Sequence, residues 1–278
     1  MRDPFAQNPE FSRLLRGDEG VDLALVSLEI ARDVDPGLDL DGTLARIDRL
    51  ADRVRDRCPP SAGARFVIGQ INWVLFVEEE FRGNTEDYYD PRNSDLSQVL
   101  ERKTGIPISL SILYASLASR VGLELGGVNL PMHFLLRAIH EEPALFVDPF
   151  HDGTMLDRPG CERLLSRISG RPVRLGFEHF TPCAASTVVG RMLRNLKGIH
   201  LHREDFASAL PVVRRLAALN RRDLLEQRDW GMVSLQADRP GEALGPLRRY
   251  VEEMPDADDR ETIRSLLKTA LREVAFRN

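Results

Sequence analysis

Residues 104–150 read TGIPISLSILYASLASRVGLELGGVNLPMHFLLRAIHEEPALFVDPF, and this stretch combines a helix start, a hairpin and the best-placed polar pair in the chain. After the strand-like run Gly127–Leu130, the segment His133–Ile139 can continue as a strand, and Ala144–Asp148 does so again beyond the turn-like His140, Glu141, Glu142 and Pro143. A hairpin centred between His140 and Glu141 makes facing residue numbers sum to 281, so His133 faces Asp148. Directly opposed side chains lie about 5 Å apart at Cβ. An imidazole beside a carboxylate is held in one tautomer and stabilised as imidazolium, the arrangement that orients a base in nucleophile–His–Asp catalysis. The pairing depends on register, because a slip of one residue sends the two side chains to opposite faces. Residue types alone also fit a His at a strand end and an Asp capping a turn before Pro149.

Upstream, Gly105-Ile106-Pro107-Ile108-Ser109 opens a mostly apolar helix, Leu110 to Val121, with the proline in a first-turn position. A nucleophile is expected at such a helix start, where the macrodipole lowers a thiol's pKa. Ser109 is the hydroxyl there. A serine needs a base in hydrogen-bond reach to attack, and its other reading is a first-turn residue that bonds exposed backbone amides.

The order of helix, strand with His and strand with Asp resembles the transglutaminase-like branch of the papain-like cysteine enzymes. More closely, Gly83-Asn84, Asp87-Tyr88-Tyr89-Asp90-Pro91, Gly105-Ile106-Pro107-Ile108-Ser109-Leu110, Asn129-Leu130-Pro131-Met132-His133-Phe134 and Asp148-Pro149-Phe150 resemble the bacterial SirB-type transglutaminase-like proteins with C-terminal tetratricopeptide repeats. The likeness covers most of the chain. It implies an α+β, papain-like core, with His133 and Asp148 at the family's His and Asp positions. The family's cysteine belongs about four helical turns before the glycine ending the helix, between Pro107 and Ser109, and no cysteine stands there. The resemblance therefore implies a protein that binds a peptide or protein partner without catalysis. The alternative is a hydrolase or acyltransferase using Ser109, His133 and Asp148. Asn84, Asp87, Tyr88, Tyr89 and Asn129 are the candidate binding residues around the groove, although 83–96 also reads as a loop fixed by its own hydrogen bonds. No cofactor and no metal is expected.

The composition, 42% hydrophobic and 29% charged over 278 residues, is that of a globular protein with a sizeable core. Its apolar runs are broken well before the roughly 20 residues that span a bilayer, and Met1–Ser12 is too polar for a signal peptide. A cytoplasmic location without membrane contact is the resulting expectation. Cys58, Cys161 and Cys183 form no C-x-x-C pair, which argues against a zinc site or a disulfide framework. Cys161 sits at a helix start that would favour a thiolate, but it follows His133 and Asp148, against the family's order. Net charge is −5, with −8 over residues 1–183 and +3 over residues 184–278. The dispersed basic residues do not support nucleic-acid binding.

Residues 8–57 read as helices at Pro9–Arg16, Val21–Ala31 and from a cap at Asp41, and a further helix is expected from Ala62 to about Glu79. His151 reads as a solvent-facing residue of the turn His151-Asp152-Gly153. Ala209-Leu210 recurs as Ala243-Leu244, an offset of 34, and Gly231, Ala243 and Pro255 fit the small residue, second-helix Ala and closing Pro of a tetratricopeptide repeat. Lys197 and Arg221 occupy the Gly and Pro positions of the first copy. Two domains are expected, 1–183 and 184–278, the second binding protein or completing the core.

Overall fold

The computed structural model describes residues 5–277. Two compact units divide them, one ending at Met192 and the other starting at Leu193. The first unit begins with α1 (Pro9–Arg16), α2 (Leu23–Ala31), α3 (Leu40–Arg57) and α4 (Ala64–Asn72). Each helix faces inward through its apolar stripe, as Ile47, Leu50, Ala51 and Val54 do on α3. The cap of α3 is Asp39, which accepts from the Gly42 N–H, and not Asp41. The expected Ala62–Glu79 helix also changes form. Beyond α4 the chain widens into a π-helical turn, Trp73–Glu78, where the Glu79 N–H reaches five residues back to the Val74 carbonyl. An apolar stripe reports which side faces inward and is blind to the width of the turn.

A short strand β1 (Arg82–Gly83) pairs in parallel with β2 (Thr104–Gly105), and α5 (Leu96–Arg102), capped by Asp95, lies between them in sequence. The intervening loop is tied by its own amides. Asn84 Oδ1 accepts the Glu86 and Asp87 N–H groups, and Asn84 Nδ2 donates to Asn93 Oδ1. Asn93 Nδ2 in turn donates to the Asp87 carbonyl at 2.7 Å. Next comes α6 (Pro107–Arg120), which is buried nearly all round, from Ile108 and Leu113 to Tyr114 and Leu117. A helix apolar on every side belongs in a core.

The sheet that follows has the order β3 (Leu125–Leu130), β4 (His133–Ala138), β5 (Phe146–Asp148) and β6 (Thr154–Leu156), all antiparallel. Pro131 and Met132 form the two-residue turn between β3 and β4. Proline suits the first position of such a turn, and Met132 takes the left-handed conformation at the second (φ 62°). Between β4 and β5, Leu136 pairs with Val147 and Arg137 with Phe146, so facing numbers sum to 283, not 281. The error is two residues, and a two-residue shift keeps every side chain on its face. On that face Val128, Leu130, Leu135 and Phe146 pack against Cys161, Leu164 and Leu165 of α7 (Arg158–Ser169). The opposite face carries Phe134.

Helix α8 (Ala185–His202) spans the junction of the two units in sequence, and the second unit continues with α9 (Phe206–Leu219), α10 (Leu224–Gln236), α11 (Pro240–Glu253) and α12 (Arg260–Arg277). The repeat positions Ala209 and Ala243 are both fully buried, one on α9 and one on α11. Gly231 is demanded by packing, since a Cβ there would stand 2.4 Å from Leu247 Cδ2. Lys197, at the corresponding position of the first copy, instead forms ion pairs with Glu226 and Asp229.

Candidate functional site

At the end of the sheet, His133 opens β4 and Asp148 closes β5. The register makes them diagonal neighbours, not directly opposed, and diagonal pairs remain within reach of long side chains. His133 Nε2 lies 3.0 Å from Asp148 Oδ1, with both side chains buried. The Phe150 N–H donates to the same oxygen (3.1 Å), and His151 Nδ1 lies 2.7 Å from Asp148 Oδ2. Burial alone would raise the Asp148 pKa, but the bonds from His133 and His151 outweigh it and bring the carboxyl down to about 2. The Asp148 bond raises His151 in return, against the opposing effect of its burial. His151 is thus part of the cluster, half exposed, and not a bystander of the turn. Its signal in sequence was the three-residue spacing from Asp148 across the single turn Pro149–His151.

The Asp148 bond fixes one nitrogen of His133, while Nδ1 has no hydrogen-bond partner among the described residues. An imidazole so oriented can accept a proton or bind a polar group. Phe150 lies edge-on to it, with ring centroids 6.1 Å apart. Gly83 makes room for that ring, because a Cβ there would stand 2.7 Å from Phe150 side-chain atoms and from its carbonyl oxygen. His133, Asp148 and His151 also offer ligand atoms within 4.8 Å of one another, a spacing that could hold a metal ion. Both imidazoles already direct a nitrogen at the carboxylate.

At the opening of α6, Ser109 is 1% exposed. Its hydroxyl donates to the Asn93 carbonyl (2.6 Å), with the Ile106 carbonyl at 3.2 Å, and accepts the Ile106 N–H (3.1 Å). The side chain thereby joins the helix start to the 84–95 loop, and no bond links it to His133. Cys161 is fully buried, and its thiol is pushed up to about 12 by burial and by the Asp148 and Asp157 carboxylates, so a thiolate is disfavoured. Of the expected binding residues, Asn84 is buried in the loop's amide network, whereas Asp87, Tyr88 and Tyr89 reach the surface. Asn129 is exposed and accepts a hydrogen bond from Arg191. Arg191, on α8, was not anticipated because nothing in sequence links it to the hairpin it touches. Among the described residues no helix is long and apolar enough to cross a membrane.

Comparison with known proteins agrees with this architecture. A family model described as transglutaminase-like superfamily matches residues 41–194, and one described as tetratricopeptide repeat matches residues 196–268. The chain is 31% identical over 253 residues to a UPF0162 protein of Xylella fastidiosa, covering 90% of each. It is 29% identical over 197 residues to a UPF0162 protein of Vibrio cholerae, covering 70% of this chain and 71% of that one. A stretch of 109 residues, 36% of this chain and 17% of the relative, is 39% identical to F-box only protein 21 of Mus musculus. No solved structure matches the chain. The first family model spans more than half of the sequence and the Xylella relative nearly all of it, so the chain belongs to the transglutaminase-like superfamily, among the UPF0162 proteins, and carries a tetratricopeptide region at its C-terminal end.

Proposed function

We propose that this chain is a non-catalytic transglutaminase-like protein that binds a peptide or protein partner, with the groove beside His133 as the primary contact. The observation that carries this reading is the occupation of the helix opening. The position that holds the family's cysteine has none, and the Ser109 hydroxyl is buried and committed to the Asn93 carbonyl. The His133–Asp148 pair is kept as a preorganised polar anchor, since a buried pair bonded in this way holds one orientation. The tetratricopeptide region supports the same reading, because such helix pairs commonly bind protein. The kinship with SirB-type proteins forms part of this proposal.

A second reading, a hydrolase or acyltransferase, draws on one feature. The Asp148 bond leaves His133 Nδ1 without a protein partner, as a general base requires. A serine-directed acylating probe separates the two. Inertness of the wild-type chain supports the binding protein. Labelling that disappears in Ser109→Ala would establish the enzyme, and labelling that survives Ser109→Ala would exclude Ser109 as the nucleophile.

A further inference from the structure

Arg191 places its guanidinium over the Phe134 ring, 6.0 Å from the centroid. A single amino group makes its hydrogen bonds, Nη1 donating to Asn129 Oδ1 (2.5 Å) and to the Leu130 carbonyl (2.7 Å). Both acceptors are neutral. Among the described residues no carboxylate pairs with this side chain, and the charged or polar groups that it senses are Tyr88 and Cys183. A partly buried cation without a counter-ion is unfavourable, and burial lowers the Arg191 pKa accordingly. The edge formed by Nε–H and Nη2–H is left without an acceptor. Its two parallel N–H bonds match the two oxygens of a carboxylate.

The position of Arg191 places this edge beside the β3–β4 turn. Leu130, whose carbonyl holds Nη1, pairs across the β3–β4 turn with His133. Tyr88 lies close enough for each ionisation to affect the other. The Tyr88 ring is edge-on to Phe150 (6.4 Å between centroids), and Phe150 is edge-on to His133. Tyr88, Phe150 and His133 thus follow one another through ring contacts, with Tyr88 within electrostatic range of Arg191. Anchoring Nη1 on a backbone carbonyl fixes the guanidinium before any ligand arrives, which reduces the ordering cost of binding.

We propose that the Nε/Nη2 edge of Arg191 receives a carboxylate of the peptide that binds beside the His133 hairpin. This deepens the binding reading above and rests on it. A phosphoryl group, with nearly two charges, is usually met by several basic residues, whereas the open edge here belongs to a single guanidinium.

The test is an array of N-acetylated hexapeptides in matched pairs, Glu or Asp against Gln or Asn at one position, each made as the free acid and as the C-terminal amide. The full-length chain, Arg191→Gln, Arg191→Lys and Tyr88→Phe are read on the same array. Peptides that bind the wild type are expected to lose about tenfold or more when the carboxylate becomes an amide, and Arg191→Gln is expected to lose as much. The two losses should not add, because each removes the same contact. Arg191→Lys keeps the charge without the fork and should recover only part. The free-acid and amide series tell a chain terminus from an acidic side chain. Losses that add, or binders indifferent to the acid-to-amide change, would overturn the carboxylate site while leaving the groove as a binding surface. Stronger competition by inorganic phosphate than by acetate would overturn the carboxylate in favour of a phosphoryl group. An array on which the wild type retains nothing fails the binding reading and this site with it. If Arg191→Gln does not fold, Tyr88→Phe and the peptide-side exchange carry the same comparison without altering α8.

Discussion

Replacing Asp148 with asparagine is expected to destabilise the first unit at neutral pH, and the loss is expected to vanish in acid. The folded protein holds this carboxyl at about 2 against an ordinary 3.8. At about 1.4 kcal/mol per pKa unit the difference is on the order of 2 kcal/mol, and Asp148 is buried enough that solvent screening does not reduce it appreciably. Because the folded pKa is depressed, the unfolded chain binds more protons in acid. The stabilisation is complete above the unfolded value near 4 and is withdrawn as pH falls through about 2. Asparagine removes the charge but is nearly the same size, so packing around Phe150 is retained. Urea unfolding at steps from pH 7 to pH 2 measures the effect. Trp73 reports on the first unit and Trp230 lies in the second, so a Trp230→Phe background isolates the relevant transition. A wild-type advantage near zero at pH 7, or one that stays constant down to pH 2, would refute the account of Asp148 as a carboxylate held by two imidazoles.

Three further outcomes are expected from contacts described above. The raised pKa of folded His151 means that its contribution is complete below about 6.5 and is lost as pH rises through the higher folded value, and proton NMR of its ring should show that midpoint fall back toward 6.5 in Asp148→Asn. Ser109→Ala strands the buried Asn93 carbonyl and Ile106 N–H and should cost about 1–3 kcal/mol in denaturant unfolding; an unchanged stability would contradict its bracing role. Gly231→Ala should destabilise the second unit although alanine is the better helix former by about 1 kcal/mol, because the added methyl meets buried Leu247 and overpacking costs roughly 1–3 kcal/mol. A thermal melt in which Gly231→Ala matches or exceeds the wild type would show that Leu247 moves aside freely.

Much of the site is legible in the amino-acid sequence because its determinants are local. Pro107 in the first turn of α6, the alternation around His133 and the turn residues before Asp148 each act over a few positions, and together they put an imidazole and a carboxylate on one sheet face. The expected register misses by two residues, yet the pair survives because side-chain direction in a strand repeats every two. The 34-residue recurrence of Ala209 at Ala243 is equally readable, since each helix pair buries its small residue at the same place.

Other features depend on what distant segments bring to a residue. Ser109 carries the same hydroxyl whether it attacks a substrate or braces a loop, and the Asn93 carbonyl, sixteen residues away, occupies it. His151 reads as a turn residue until the single turn after β5 brings its ring back to Asp148. Arg191 is one arginine among many along the chain, and only the packing of α8 against Phe134 sets its charge beside the His133 hairpin without a carboxylate. The sequence by itself thus determined which residues could meet, through periods of two and 3.6 that short segments enforce unaided. Tertiary structure decided which polar atoms were already satisfied and which remained open to a ligand, because burial and hydrogen-bond partners come from segments far apart in the chain.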